Sequence, residues 1–405
     1  MRHGLMAATT LLVATMGLIA GASAASQLTV LYKFQDIPDG AYPSGGVIAD
    51  QAGNLYGTTA GGGAPGGYGT VFELSPGGAD TVLYAFQDGS DGRQPVGALL
   101  IDTSGNFYGA AGGGTSSNCS NSGCGIVFKL APDGTQTVLY SFQGLGDGAY
   151  PQGNLIADKA GNLYGVTSEG GSFERNVCVS NGCGTVFALA PNGEKTTLYA
   201  FLGGKDGVQP NAGLVADAAG NLYGTTEAGG RCDPLGDGCG TVFKIAANGT
   251  ETILHTFQGT DDGCTPRAGL IADSAGNLYG TTQGGPGCST NDAGAGAVFK
   301  LAPNGAETIL YAFQGGRDGE SPAAGLAMDA KGNLYGTTYG GGISNAGTVF
   351  ELTAAGTKKT LVFLKDKTGY STQAGLLLGK QNILYGTTPK GRAPSRYGSV
   401  FAVSP

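Results

Sequence analysis

The stretch Gly53-Asn54-Leu55-Tyr56-Gly57-Thr58-Thr59 decides the fold because the chain repeats it. It returns as Gly105-Asn106-Phe107-Tyr108-Gly109 and then around Tyr164, Tyr223, Tyr279, Tyr335 and Tyr385. Successive tyrosines lie 50 to 59 residues apart. A period of about 55 residues belongs to propeller blades rather than to helical solenoids.

Each unit holds four runs with strand chemistry. One set reads Ala98-Leu99-Leu100-Ile101-Asp102, Asn106-Phe107-Tyr108-Gly109, Ile126-Val127-Phe128-Lys129-Leu130 and Thr137-Val138-Leu139-Tyr140-Ser141-Phe142. Asp-x-x-Gly-Asn turns (Asp158 to Asn162, Asp217 to Asn221) and Pro-Asn-Gly or Pro-Asp-Gly turns (Pro132 to Gly134, Pro191 to Gly193, Pro303 to Gly305) punctuate them. The chain begins its repeats with a lone fourth strand, Leu28 to Phe34, and ends on a third strand, Ser399 to Val403. A seven-bladed all-β propeller, four antiparallel strands per blade, follows, with the N-terminal strand closing the ring so that no sheet edge is left bare. The innermost strand is marked by tiny pairs such as Gly45-Gly46, Gly97-Ala98, Ala212-Gly213 and Ala268-Gly269, with Gly153-Asn154 the partial exception. Only minimal side chains fit where seven sheets converge.

Composition agrees. Among 405 residues, 78 are Gly and 17 Pro, 40% are hydrophobic and 13% charged, which disfavours both disorder and helical bundles. Residues 1–24 read as a secretory signal peptide: Arg2, an apolar stretch from Leu5 to Ala20, and Ala22-Ser23-Ala24 as cleavage site. The propeller occupies 25–405, and the protein is expected to be secreted, extracellular or periplasmic, without membrane insertion and monomeric. A formal net charge of −8 and the absence of a basic stripe exclude nucleic acid as a partner. Eight cysteines in an exported chain read as disulfides, paired by spacing as Cys119 with Cys124, Cys178 with Cys183, Cys232 with Cys239 and, by elimination, Cys264 with Cys288. Zinc competes weakly, because the x4 and x6 spacings and the lack of His partners do not fit a zinc knuckle, and no metal site is expected.

The ordered series Leu-Tyr-Gly-Thr-Thr, Gly-Gly, Gly-Thr-Val-Phe and Leu-Tyr-x-Phe resembles the GloVer tandem repeat of exported bacterial proteins over nearly the whole mature chain. The resemblance implies an exported β-propeller, often surface-tethered through a C-terminal anchor, and carries no established activity. No such anchor is expected from the final residues Phe401 to Pro405. The Asp-x-x-Gly-Asn-Leu-Tyr hairpin is also similar to repeats of sugar-lactonase-like propellers, a likeness of fold that transfers no activity.

Candidate chemistry is sparse. His255, the one histidine after the leader, replaces the Tyr of a Leu-Tyr-x-Phe strand, so a Ser-His-Asp triad or a histidine metal site is not available. One acidic series (Asp50, Asp102, Asp158, Asp217, Asp273, Asp329) opens the hairpins, where a carboxylate caps backbone N–H groups. A second (Asp39, Asp91, Asp147, Asp206, Asp262, Asp318) stands four residues before Pro43, Pro95, Pro151, Pro210, Pro266 and Pro322. It is expected to ring the channel mouth, where it could hold a cation; no other cofactor is expected. The residue after each Pro varies: Ser44, Val96, Gln152, Asn211, Arg267, Ala323, with Gln373 in the seventh copy. The loops between second and third strands run 9, 13, 16, 13, 13, 8 and 9 residues, so the long, cysteine-bearing ones belong to copies two to five. Loop variation on a rigid scaffold is where recognition usually sits. Tyr42, Tyr150, Tyr339, Tyr370, Phe173 and Arg175 lie on or near that loop face. The sequence therefore points to a non-enzymatic binding or scaffold module for a protein or glycan, with no catalytic residue assigned. One alternative is a polysaccharide lyase or hydrolase using Asp91, Asp147 or Asp206 as acid or base with Arg267 or a tyrosine assisting. The other is a structural envelope protein without a discrete site.

Overall fold

The computed structural model describes residues 26–119, 123–172, 178, 181–230, 238–288, 294–365, 369–370, 372–391 and 396–405. The leader, Phe173, Arg175 and Cys232 lie outside these. Seven antiparallel sheets surround one axis, and no α-helix occurs among the described residues. In blade three the strands are Ala149–Ala157, Leu163–Glu169, Thr185–Leu189 and Lys195–Ala200, paired in chain order from axis to rim. Blade one differs from the expected four strands. Both Ala41–Pro43 and Ile48–Ala49 pair with Leu55–Gly61, because the tight Gly45-Gly46 passage interrupts the innermost strand. The N-terminal strand Gln27–Lys33 pairs antiparallel with Ser399–Ser404 and closes the ring as the fourth strand of blade seven.

The repeated motif has a packing reason at each residue. A Cβ on Gly57 would stand 2.7 Å from the Phe72 ring, and the same holds in every copy down to Gly386 at 2.6 Å from Phe401, so the glycine makes room for the third-strand Phe. That ring meets edge-on the Phe that ends the preceding outer strand, as in Phe201 against Phe243 at 5.1 Å and Phe257 against Phe299 at 5.2 Å. Fully buried phenylalanines thus weld neighbouring blades, each one contributing several kcal/mol through its buried area. The second Thr of the motif shares a buried hydroxyl contact with the first residue of the third strand, Thr59 with Thr70 at 2.8 Å and Thr226 with Thr241 at 2.8 Å.

At the hairpins, Asp50 accepts bonds from the backbone N–H and side-chain amide of Asn54 (2.9 and 2.8 Å) and from the Tyr56 hydroxyl (3.1 Å). Asp102, Asp158, Asp217, Asp273 and Asp329 repeat the circuit. Desolvation opposes ionisation of these carboxyls, but the donated bonds outweigh it and hold all six below the usual carboxylate range.

The axis is a backbone contact. A Cβ on Gly45 would lie 2.0 Å from the Gly97 carbonyl oxygen, one on Gly97 2.2 Å from that of Gly153, and one on Gly153 2.2 Å from the Gly213 amide nitrogen. At the next position of the unit, where a Cβ on Gly46 or Gly213 would have a neighbour at 2.9 Å, the passage loosens around blades five to seven: Gly269, Gly325 and Gly375 have 3.2, 3.7 and 3.4 Å to the carbonyls beside them. Asn154, the exception in the small-residue series, reaches across the axis and accepts the Ala98 amide at 2.6 Å.

Candidate functional site

The innermost strands enclose an axial cavity of about 750 Å³. The six positions that follow the mouth prolines, Ser44, Val96, Gln152, Asn211, Arg267 and Ala323, all line it, as does Gln373 at the matching place after Thr372. Its wall is polar along blades three, four, five and seven and apolar at Val96 and Ala323. Gln152, Asn211, Arg267 and Gln373 are therefore brought together, although up to 221 residues of sequence separate them.

Sequence reasoning missed the residue that organises this wall. Glu227 lines the same cavity and pairs with the Arg267 guanidinium through one carboxylate oxygen while accepting the Asn211 amide on the other. Its side chain is 15% exposed against 44% for Arg267, so the carboxylate anchors a guanidinium that still presents donors to solvent. A signal existed: the residue after Thr-Thr changes in every copy (Ala60, Gly112, Ser168, Glu227, Gln283, Tyr339, Pro389). The cavity holds one formal positive and one formal negative side chain beside amides and a hydroxyl. It can offer paired donors and acceptors to a polar ligand.

The second acidic series is placed differently from the expectation. None of Asp39, Asp91, Asp147, Asp206, Asp262 and Asp318 lines the axial cavity. Each turns back onto the outer strand behind it, accepting the hydroxyl of the Tyr seven residues earlier, as with Tyr84 to Asp91 at 2.9 Å, Tyr199 to Asp206 at 2.7 Å and Tyr140 to Asp147 at 2.8 Å. The backbone N–H four residues earlier adds a second bond, Gln87 to Asp91 at 2.9 Å and Gln143 to Asp147 at 2.8 Å. His255 substitutes for the tyrosine in the fifth copy, its Nε2 3.0 Å from Asp262. The six carboxylates therefore stand against the outer strands rather than along the axial cavity. The chain uses the carboxylate to tie off the outer strand before crossing inward. Asp91, Asp147 and Asp206 are among these residues outside the cavity lining. Burial and then the bond to Asp raise the partner tyrosines, Tyr84 and Tyr311 to about 12.

On the loop face, Cys119–Cys124, Cys178–Cys183 and Cys264–Cys288 are bonded, and Cys239 is disulfide-bonded too, its expected partner Cys232 lying outside the described residues. The three sulfurs of Cys239, Cys264 and Cys288 lie within 4.8 Å of one another, which packs the fourth and fifth loops together. Cross-links over short loops contribute about 2 kcal/mol each and pin these loops rather than the blades. Tyr150 donates to the Cys119 carbonyl at 2.5 Å and is thereby part of the pinned wall, whereas Tyr42 and Tyr339 are each 40% exposed.

Among known proteins, the repeat family described as Gloeobacter/Verrucomicrobia repeat matches residues 13–179, 114–292 and 236–405. No curated protein matches. The extracellular domain of a candidate hybrid two component system from B. thetaiotaomicron is similar in structure at 11% identity, with a TM-score of 0.56, over 91% of this chain and 39% of that one. A gluconolactonase from Xanthomonas campestris aligns at 14% identity over 76% of this chain and 86% of that one, at a TM-score of 0.44. These likenesses concern the propeller fold alone.

Proposed function

This chain belongs to the Gloeobacter/Verrucomicrobia repeat family, and from that premise we propose that it is a secreted, non-enzymatic binding module that takes a protein or glycan ligand at the loop-face mouth of the axial cavity. One observation carries the reading: the mouth positions at which the seven copies disagree all converge on one cavity, and the fold does not dictate their identity. At these mouth positions the copies carry polar, charged and apolar side chains on the same backbone, so the propeller leaves their identity open to a ligand. Loops cross-linked by disulfides border the same mouth, and their rigidity lowers the ordering cost of binding. The leader read at residues 1–24 and the disulfides both support export.

The test is retention of the mature protein on immobilised glycan and envelope-protein panels, scored for bound protein and released product alike. Retention without turnover, weakened about tenfold or more by Arg267→Gln, is the expected result. Product release that Asp147→Asn abolishes would overturn the binding-only reading. Retention indifferent to Arg267→Gln would move the site away from the cavity.

A further inference from the structure

In blades one to six the first residue of the outer strand faces the Tyr–Asp or His–Asp pair of the preceding blade, and its chemistry changes around the ring. In blade three Lys195 inserts its ammonium there, donating to the Asp147 carbonyl (2.5 Å), the Asp147 carboxylate (2.9 Å) and the Thr197 hydroxyl (2.7 Å). In blade six Lys358 does the same to Asp318 and Thr360, at 2.6, 2.7 and 2.7 Å. In blade two Gln136 donates its amide to the Asp91 carbonyl at 3.1 Å. In each of these three seams a lysine or glutamine therefore aims a donor at the aspartate before it.

Blades one, four and five place Asp80, Glu251 and Glu307 at this position. A carboxylate cannot donate. In each, one oxygen (Asp80 Oδ1, Glu251 Oε1, Glu307 Oε1) is sealed from solvent and has no partner. Asp80 faces Asp39 and Tyr32, Glu251 faces Asp206 and Tyr199, and Glu307 faces Asp262 and His255. Two negative charges across a closed seam, one of them without a hydrogen bond, would be costly.

We propose that Asp80, Glu251 and Glu307 are carboxylic acids in the folded ring, each donating a proton across its seam as Gln136, Lys195 and Lys358 donate theirs, so that three seams are latched by protons taken from the medium. Burial first, and for Asp80 and Glu251 the facing aspartate second, pushes these groups up to about 7; for Glu307 burial leads, His255 opposes and Asp262 adds. Because the folded values lie above the unfolded ones, the stability they contribute is complete at low pH and is lost as pH rises through about 7. The hairpin aspartates run the other way, their contribution vanishing only as pH falls through their depressed values.

The experiment compares thermal midpoints of the mature protein with those of the triple variant Asp80→Asn, Glu251→Gln, Glu307→Gln from about pH 5 to about pH 8. The three substitutions install the neutral donor that Gln136 already is. The wild-type midpoint is expected to fall across this window while that of the variant changes much less and lies above it at the alkaline end. Both proteins keep His255, so the difference between the profiles belongs to the three acids. Parallel profiles would overturn the proposal. So would calcium raising the wild-type midpoint at the alkaline end and not that of the variant, since the carboxylates would then be holding a metal. Should the triple variant fail to fold, carbon NMR titration of the wild-type carboxyl groups decides: three groups titrating near 7 are expected, and none doing so refutes it.

Discussion

The blades of this ring meet twice, and the two meetings follow different rules. At the axis backbone touches backbone, with Gly45, Gly97 and Gly153 leaving no room for a Cβ. At the outer seams side chain touches side chain, and the same position holds Lys195 and Lys358, Gln136, or Asp80, Glu251 and Glu307. A contact made of backbone admits little beyond Gly and Ala, whereas a contact made of side chains requires only that donors and acceptors balance. The axis therefore repeats itself and the seams diverge, and a seam can acquire pH sensitivity without disturbing the fold.

The largest expected effect is at the axis. Gly97→Ala puts a methyl 2.2 Å from the Gly153 carbonyl oxygen at a φ of +68°, adding backbone strain to overlap. A loss of about 3 kcal/mol or more in chemical denaturation is expected, and a loss under about 1 would mean that the axis yields where it is described as rigid. Second comes a seam. Lys195→Met keeps an apolar stem but removes an ammonium that stands 5.9 Å from the Phe142 ring centroid and whose side chain is 3% exposed, leaving Asp147 without its cation. Breaking such a pair costs on the order of 3 kcal/mol when both partners are buried; with Asp147 20% exposed the loss is expected nearer 2. Lys195→Gln, which restores the Gln136 arrangement, should recover a good part of it, and no recovery would refute the donor rule of the seams.

Most of the architecture was legible because a blade is local. The period, the hairpin Asp-x-x-Gly-Asn-Leu-Tyr and the split final blade need only residues within one unit, and Cys119–Cys124 and Cys178–Cys183 span five residues each. Radial position was harder to read. Counting forward from Asp91 to Pro95 placed the acid at the channel mouth, while counting back seven residues to Tyr84 would have placed it on the outer strand, where the hydroxyl bond lies. Glu227 stayed hidden because its partner Arg267 sits 40 residues on, in the next blade. A single sequence shows that both positions vary but not that they vary together. The seam donors were invisible for the same reason, Lys195 and Asp147 being 48 residues apart.

The smallest expected effect is the most discriminating one. Gly97's place in blade six is held by Ala324, and Gly325 is the next residue, matching Ala98 of blade two; a Cβ on Gly325 would lie 3.7 Å from the Gly269 carbonyl oxygen, an ordinary contact, and its φ falls outside the left-handed range. Gly325→Ala should therefore change stability by less than about 0.5 kcal/mol, and loss of unfolded-state freedom could turn the sign favourable. If size alone excluded side chains from the axis, the two alanines would cost alike. A near-silent Gly325→Ala beside a damaging Gly97→Ala, with Ala324 already accepted at the Gly97 place, would show that the ring is off-centre, tight where Gly45, Gly97 and Gly153 meet and open through blades five to seven. The slack then lies on the side where Arg267 and Gln373 enter the cavity, and a ligand seated there would meet a wall able to move. Equal losses at both glycines, measured by the same denaturation curves, would make the ring uniform and remove that asymmetry.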